Sequence, residues 1–305
     1  MKLEGQKVLV TGASGFIGSH LCRRLAAAGA EVHGISQRTR EGGVARWWRA
    51  DVGDTAAIRR ILSDVHPETI FHLASHVVGS RHLEAVLPTF HSNLASTVSL
   101  MTAAAEIGGG RVVLSGSLEE PDFGDAQAVP CSPYAAAKWA SNAYARMFHA
   151  LYQLPVVVLR VFMVYGPGQR DVNKLIPYVV LSLLRGEQPK LSSGIRPVDW
   201  IYVDDVVEAF LAAAAAPSAV AQMVDVGCGD LVTVRSVVER LVAIIDPSIQ
   251  PCFGAAADRP MEQVRVADIN RSRKLINWQP STSLETGLEK TVEWYARELR
   301  AGTLG

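Results

Sequence analysis

The sequence predicts an α/β fold: a doubly wound parallel sheet with helices on both faces, followed by a smaller C-terminal lobe. Three observations carry this reading. Short apolar runs alternate with helical patterns from residue 7 to about residue 160. A glycine-rich turn, Thr11-Gly12-Ala13-Ser14-Gly15-Phe16-Ile17-Gly18, directly follows the first run. Beyond Arg160 the alternation loosens into segments punctuated by proline and glycine. Parallel strands need crossover connections, and helices in those connections cover both sheet faces.

Taken in order, residues 7–10, 30–35, 69–73, 111–114 and 155–159 read as buried strands, with a further short strand before Asp51. The first helix is amphipathic through Leu21, Leu25 and Ala28. Two helices are expected around residues 82–107 and 134–154. The later part holds GPGQ at 166–169, a helical run over 174–185, RPVDWIYVDD at 196–205 and a terminal helix over 283–300. Residues 1–165 are therefore expected to form a dinucleotide-binding domain, and residues 166–305 a lobe that is mainly substrate-binding and interleaved with the first. The cleft between them is the expected ligand site.

With 305 residues, 49% of them hydrophobic, the chain is long enough to bury a substantial core. Thirty basic and thirty acidic side chains balance, so no global field recruits nucleic acid or an anionic membrane. Cys22, Cys131, Cys228 and Cys252 are scattered without metal-ligand spacing, which suggests reduced thiols in a cytoplasm and no metal site. The N-terminus lacks a signal-peptide pattern, and the alanine-rich stretch 210–216 is too short to cross a bilayer.

In the glycine turn, Gly12, Gly15 and Gly18 let backbone amides approach a pyrophosphate, and Ser14, Phe16 and Ile17 lie at a helix N-terminus whose dipole favours an anion. Glycines can also serve a tight connection alone. The position of this turn, between strand and helix at the start of a βαβ unit, is the Rossmann dinucleotide context. At the end of the second strand, Ser36-Gln37-Arg38 replaces the acidic residue that would bind the ribose hydroxyls of NAD. Arg38, with Arg40 in reserve, suits the 2′-phosphate of NADP, so NADP is favoured and NAD is the alternative. A solvated basic loop is the plainer reading of these arginines. Asp51 and Val52 would lie beside the adenine.

Tyr134 and Lys138 stand four apart in SPYAAAK and share one face if that segment is helical, as Pro133 and the three alanines favour. A phenol with a pKa near ~10 becomes a useful acid/base only beside a cation, which Lys138 supplies. Ser117, in Ser115-Gly116-Ser117-Leu118-Glu119-Glu120 after the fifth strand, is placed to bind a reacting hydroxyl or ketone oxygen. For Glu119, an acid/base role and a simply solvated carboxylate stand open. Glu120 reads as solvated.

TGASGFIGSH, FHLAS, Ser117, SPYAAAK and LRVFMVYGPGQ together resemble the extended short-chain dehydrogenases, the NAD-dependent epimerase/dehydratase family of nucleotide-sugar enzymes. The resemblance spans nearly the whole chain. It implies Ser117, Tyr134 and Lys138 as a catalytic triad, Leu73, Ala74 and Ser75 beside the nicotinamide half of the cofactor, and a homodimer through the helices around 82–107 and 134–154. It further implies a nucleotide-diphosphate sugar as substrate, contacted by Met163, Lys174, Leu175, Arg196 and Arg259.

The chain departs from the family pattern at three places. Val198 precedes Asp199 where many members have arginine, leaving Arg196 as the nearest candidate. Met163 stands where many have asparagine. Leu118 stands where 4,6-dehydratases often carry aspartate, although SPYAAAK and VHGISQR resemble the GDP-mannose dehydratases, in which NADP is used and the glutamate suffices. With the NADP-like Arg38, these features point first to an NADPH-dependent reductase of 4-keto-(6-deoxy) sugars. A 4-epimerase or a 4,6-dehydratase is the alternative, and a noncatalytic dinucleotide sensor a remote one.

Overall fold

The structure, a computed structural model, describes residues 3–303 apart from 38–42, 78, 123 and 125–126. The chain separates into two compact units. The first comprises the described residues up to Val161, together with Val207–Asp225 and Asn270–Trp278. The second comprises Phe162–Val206, Val226–Ile269 and the described residues from Gln279 onward.

In chain order the elements are β1 (Lys7–Thr11), α1 (Phe16–Ala27), β2 (Glu31–Ser36), β3 (Arg46–Arg49), α2 (Thr55–Val65), β4 (Thr69–His72), α3 (Val86–Thr89), α4 (Ser96–Glu106), β5 (Arg111–Ser117), α5 (Pro133–Tyr152) and β6 (Val156–Val161). Then follow β7 (Met163–Tyr165), α6 (Leu175–Leu184), β8 (Pro197–Tyr202), α7 (Val203–Ala215), β9 (Met223–Val226), β10 (Leu231–Thr233), α8 (Val234–Ile245), α9 (Ile269–Ile276) and α10 (Leu284–Arg300).

Seven strands form the main sheet in the order β3-β2-β1-β4-β5-β6-β9. The pairings from β3 through β6 are all parallel, and the expected doubly wound Rossmann-type sheet is present. Its strands are apolar on both faces because helices cover both. On one face Leu9, Ile35, Ile70, Val112, Val156 and Val158 pack with Ile58, Ile61 and Leu62 of α2 and Leu100 of α4. The order reverses direction between β1 and β4, the switch point at which open α/β sheets bind ligands beyond their strand ends.

The helix expected around 82–107 is present as one continuous helical path, a 3-10 turn leading into α3, a π-helical stretch Phe90–Ala95 and α4, with right-handed helical backbone at each junction. The second unit carries a three-stranded sheet in which β8 lies between β7 and β10. RPVDWIYVDD thus becomes a strand running into a helix. Buried Asp199 of β8 accepts backbone N–H bonds from Cys228 (2.5 Å), Gly229 (2.9 Å) and Ala267 (3.0 Å), tying two loops of this unit to one carboxylate. Among the described residues no helix is long and apolar enough to cross a membrane.

Candidate active site

The glycine turn is built for close backbone approach. Gly12 has φ +67°, and a Cβ there would meet the backbone nitrogen of Ala74 at 2.7 Å. At Gly18 a Cβ would meet the carbonyl oxygen of Gly12 at 2.1 Å. Gly15 is the N-cap of α1, with no side-chain cap and no acidic residue in the first turn. The orphan amides and the dipole of this helix end fit a pyrophosphate. Ser14 Oγ lies 3.3 Å from Ser36 Oγ, which joins the turn to the end of β2.

After β2, Gln37 donates to Asp51 (3.0 Å), whose other oxygen accepts from Gly53 N (2.8 Å). The Val52 side chain belongs to the core. Arg38 and Arg40 lie outside the described residues. Leu73, Ala74 and Ser75 follow β4, where Leu73 N donates to Thr11 O and Ala74 N to Thr11 Oγ1. Ser75 Oγ is buried and makes no hydrogen bond within the described residues, a polar atom suited to a ligand. The turn and this orphan hydroxyl fit a dinucleotide.

Behind the turn runs a hydrogen-bond chain that the motif reading missed. Ala74 N–H donates to Thr11 Oγ1, which lies 2.7 Å from His72 Nδ1; His72 Nε2 lies 2.9 Å from Thr97 Oγ1, and Thr97 donates to Asn93 O. Because Thr97 donates onward, His72 carries its proton on Nε2 and accepts at Nδ1. Burial and the charge of Lys138 hold its pKa down to about 3. Asn93 also brackets His76, accepting from its N–H (2.6 Å) and donating to its carbonyl (3.2 Å).

Ser117, Tyr134 and Lys138 come together at the end of β5 and the start of α5. Ser132 caps α5 by accepting from Ala135 N, and Pro133 occupies its first turn. One helical turn separates Tyr134 from Lys138, so both face the strand end. The Tyr134 side chain hydrogen-bonds that of Ser117. Lys138, only 5% exposed, donates to Ser115 O (2.7 Å) with its Nζ 5.9 Å from the centre of the Tyr134 ring.

Burial pushes the Tyr134 phenol up to about 12; the Ser117 hydrogen bond opposes this, and Glu120 and Glu119 add to it. Burial pulls Lys138 down to about 8 against the attraction of Glu120. Glu119 N donates to Ser117 Oγ (3.2 Å), and the Glu119 carboxylate accepts from Cys131 Sγ (3.3 Å). Leu118 turns into the core. Glu120 is not solvated as expected but buried, held by partners from other elements.

In the second unit, Met163 pairs with Trp200 across β7 and β8. Lys174 is the N-cap residue of α6, 4.0 Å from Asp171, and Leu175 opens that helix. Arg196 donates to Glu262 (2.7 Å) and to Gln263 O (2.8 Å). Arg259, exposed, reaches the other Glu262 oxygen at 3.8 Å. One carboxylate therefore bridges the two arginines, a link with no signal in the sequence.

The fold and the glycine turn define a dinucleotide-binding protein of the extended short-chain dehydrogenase class. Residues 8–228 match the NAD dependent epimerase/dehydratase family, and the chain belongs to it. The chain is 31% identical over 312 residues to the UDP-glucose 4-epimerase of Mycolicibacterium smegmatis, covering 95% of this chain and 98% of that one. It is 27% identical over 335 residues to the dTDP-glucose 4,6-dehydratase of Salmonella typhimurium, covering 95% and 92%. Among solved structures, the UDP-glucose 4-epimerase of Thermotoga maritima with UDP-glucose superposes with a TM-score of 0.89 at 26% identity, covering 96% and 100%. MoeE5 in complex with UDP-glucose and NAD gives 0.84 at 32% identity, covering 96% and 99%. The protein is an enzyme of a nucleotide-sugar family with NAD(P) binding.

Proposed function

We propose that this enzyme inverts C4 of a UDP-hexose, with Tyr134 as the acid/base for the C4 hydroxyl. The observation that carries the reading is the group Ser117, Tyr134 and Lys138, with Ser117 and Lys138 buried and Tyr134 half-buried, in which Ser117 hydrogen-bonds the phenol on which a sugar hydroxyl would converge. Lys138 stabilises the phenolate and orients the nicotinamide ribose, while Ser117 positions the sugar oxygen. A dinucleotide held by the glycine turn and Ser75 would supply a reversible hydride acceptor at this site.

Gly12, Ser14, Gly15, Phe16, Ile17 and Gly18 are assigned to the pyrophosphate, and Ser36, Gln37, Arg38, Asp51 and Val52 to the adenosine. Leu73, Ala74 and Ser75 are assigned with Tyr134 and Lys138 to the nicotinamide half. Residues 166–305 are assigned mainly to the nucleotide sugar, through Lys174, Leu175, Arg196 and Arg259. Elimination of water at C5 and C6 would fall to Glu119 alone, since buried Leu118 stands where 4,6-dehydratases often carry an aspartate. We also propose a homodimer through Leu87, Phe90, Tyr144 and Leu151, exposed apolar side chains on α3, α5 and the stretch between α3 and α4.

The UDP-glucose 4-epimerases among the relatives are what support the UDP-hexose class and the C4 epimerisation. The second reading is the NADPH-dependent 4-keto-sugar reductase, favoured by the absence of a carboxylate at Ser36 and Gln37. Incubation with UDP-galactose, without added dinucleotide, tests the first reading through formation of the C4 epimer. Consumption of NADPH by a 4-keto nucleotide sugar, impaired in Arg38→Ala, would instead establish the second.

A further inference from the structure

We propose that Glu120 is a positioning residue of this site, whose buried carboxylate fixes the backbone of Ser117 and supplies the counter-charge that keeps Lys138 an ammonium beside Tyr134. The proposal rests on the assignment of Tyr134 and Lys138 above.

Glu120 is 1% exposed. One carboxylate oxygen accepts from Ser117 N at 2.6 Å, and the other accepts from Asn142 Nδ2 at 3.4 Å. Room for it exists because residue 116 is glycine: a Cβ there would stand 2.6 Å from Glu120 Oε1. A turn after β5 needs no buried charge, and burying one is costly unless cations and hydrogen bonds surround it.

Two cations face Glu120, Lys138 from α5 and Arg160 from β6. Arg160 is already engaged, bidentate on Asp225 (2.7 and 3.0 Å) and 3.4 Å from Asp122. Lys138 has no salt-bridge partner among the described residues; its Nζ donates to a neutral carbonyl, Ser115 O. His72 from β4, whose pKa burial and the charge of Lys138 hold down, and Tyr134 from its own helix also face it. Glu119 adds negative charge near Tyr134. Glu120 is thus the group whose charge opposes the deprotonation of Lys138, and in a dry site such a charge acts strongly. Burial raises Glu120 itself, and the hydrogen bonds from Ser117 and Asn142 and the charges of Lys138 and Arg160 oppose that rise.

Glu120→Gln keeps an acceptor for Ser117 N and removes only the charge, whereas Glu120→Asp keeps the charge. The full chain of each variant is titrated with NADH and NADPH, and assayed with UDP-galactose, across pH. The alkaline limbs of dinucleotide binding and of turnover should move to lower pH in Glu120→Gln, by on the order of one unit, with the Asp variant closer to wild type. A shifted binding limb in a chain that turns over no sugar would support Glu120 and sink the epimerase reading. Unmoved limbs, with activity lowered equally at every pH, would overturn the proposal. If the Gln variant does not fold, the assigned carbon-13 carboxyl resonance of Glu120 in the wild-type chain decides: an ionised group at neutral pH supports the proposal and a protonated one overturns it.

Discussion

Gly12 and Ala74 touch backbone to backbone: a Cβ on Gly12 would lie 2.7 Å from the Ala74 nitrogen. The phosphate-type turn and the loop after β4 therefore share one rigid contact, reinforced by the bond from Ala74 N to Thr11 Oγ1. Gly12→Ala introduces both a clash and a strained positive φ, at a cost of about 1–3 kcal/mol, and should weaken dinucleotide binding at least about tenfold. Gly5→Ala, at φ +74° with nothing within 4 Å, serves as control. Thermal unfolding and fluorescence titration with NADH should show a stability loss in both variants and a binding loss only at Gly12.

His72 gives a pH-dependent stability with a definite sign. Its folded pKa of about 3 lies below its ordinary value of 6.5, so between these values the unfolded chain binds a proton that the folded chain refuses. The contribution is complete above pH 6.5 and falls as the pH drops through the window, by about 1.4 kcal/mol per pH unit. Urea unfolding at pH 7 and pH 5 should show wild type losing more stability than His72→Asn. Equal losses would mean that His72 is protonated in the fold.

Tyr134→Phe keeps the ring and removes the proton handle. Turnover should fall roughly 10²-fold or more, while the dissociation constant for NADH stays within about threefold of wild type. Steady-state kinetics and a binding titration on the same preparation check both halves. Near-normal turnover would remove Tyr134 from the acid/base role.

Glu119 separates inversion from elimination. If the enzyme only oxidises and reduces C4, Tyr134 handles the proton and Glu119→Gln should cost less than about tenfold. A loss of about 10²-fold or more, together with a 4-keto-6-deoxy product from dTDP-glucose, would mean that a single glutamate suffices for elimination here.

Strands β1, β2, β4, β5 and β6 of the main sheet were legible because their apolar runs match the demands of a strand buried on both faces. Ser117, Tyr134 and Lys138 were legible because each stands in a local pattern, a strand end or a capped helix start. The π-helical stretch within the 82–107 helix was not legible, since it carries Asn93, whose partner His76 lies in a separate loop. The burial of Glu120 escaped for the same reason: Asn142 and Arg160 reach it from elements remote in sequence. Residues 223–226 gave no strand signal of their own, and β9 exists because it completes the sheet beside β6. Contacts fixed by tertiary packing leave no periodicity to read.

The most direct test of the C4 assignment uses UDP-galactose deuterated at C4, incubated with the enzyme as purified and followed by proton NMR. Inversion through hydride transfer within one active site predicts UDP-glucose that retains the label at C4, no net change in added dinucleotide, and at least about 10²-fold slower conversion by Tyr134→Phe. No UDP-glucose from the unlabelled sugar, alongside stoichiometric NADPH oxidation by a 4-keto nucleotide sugar, would contradict the epimerase account and leave the reductase in its place.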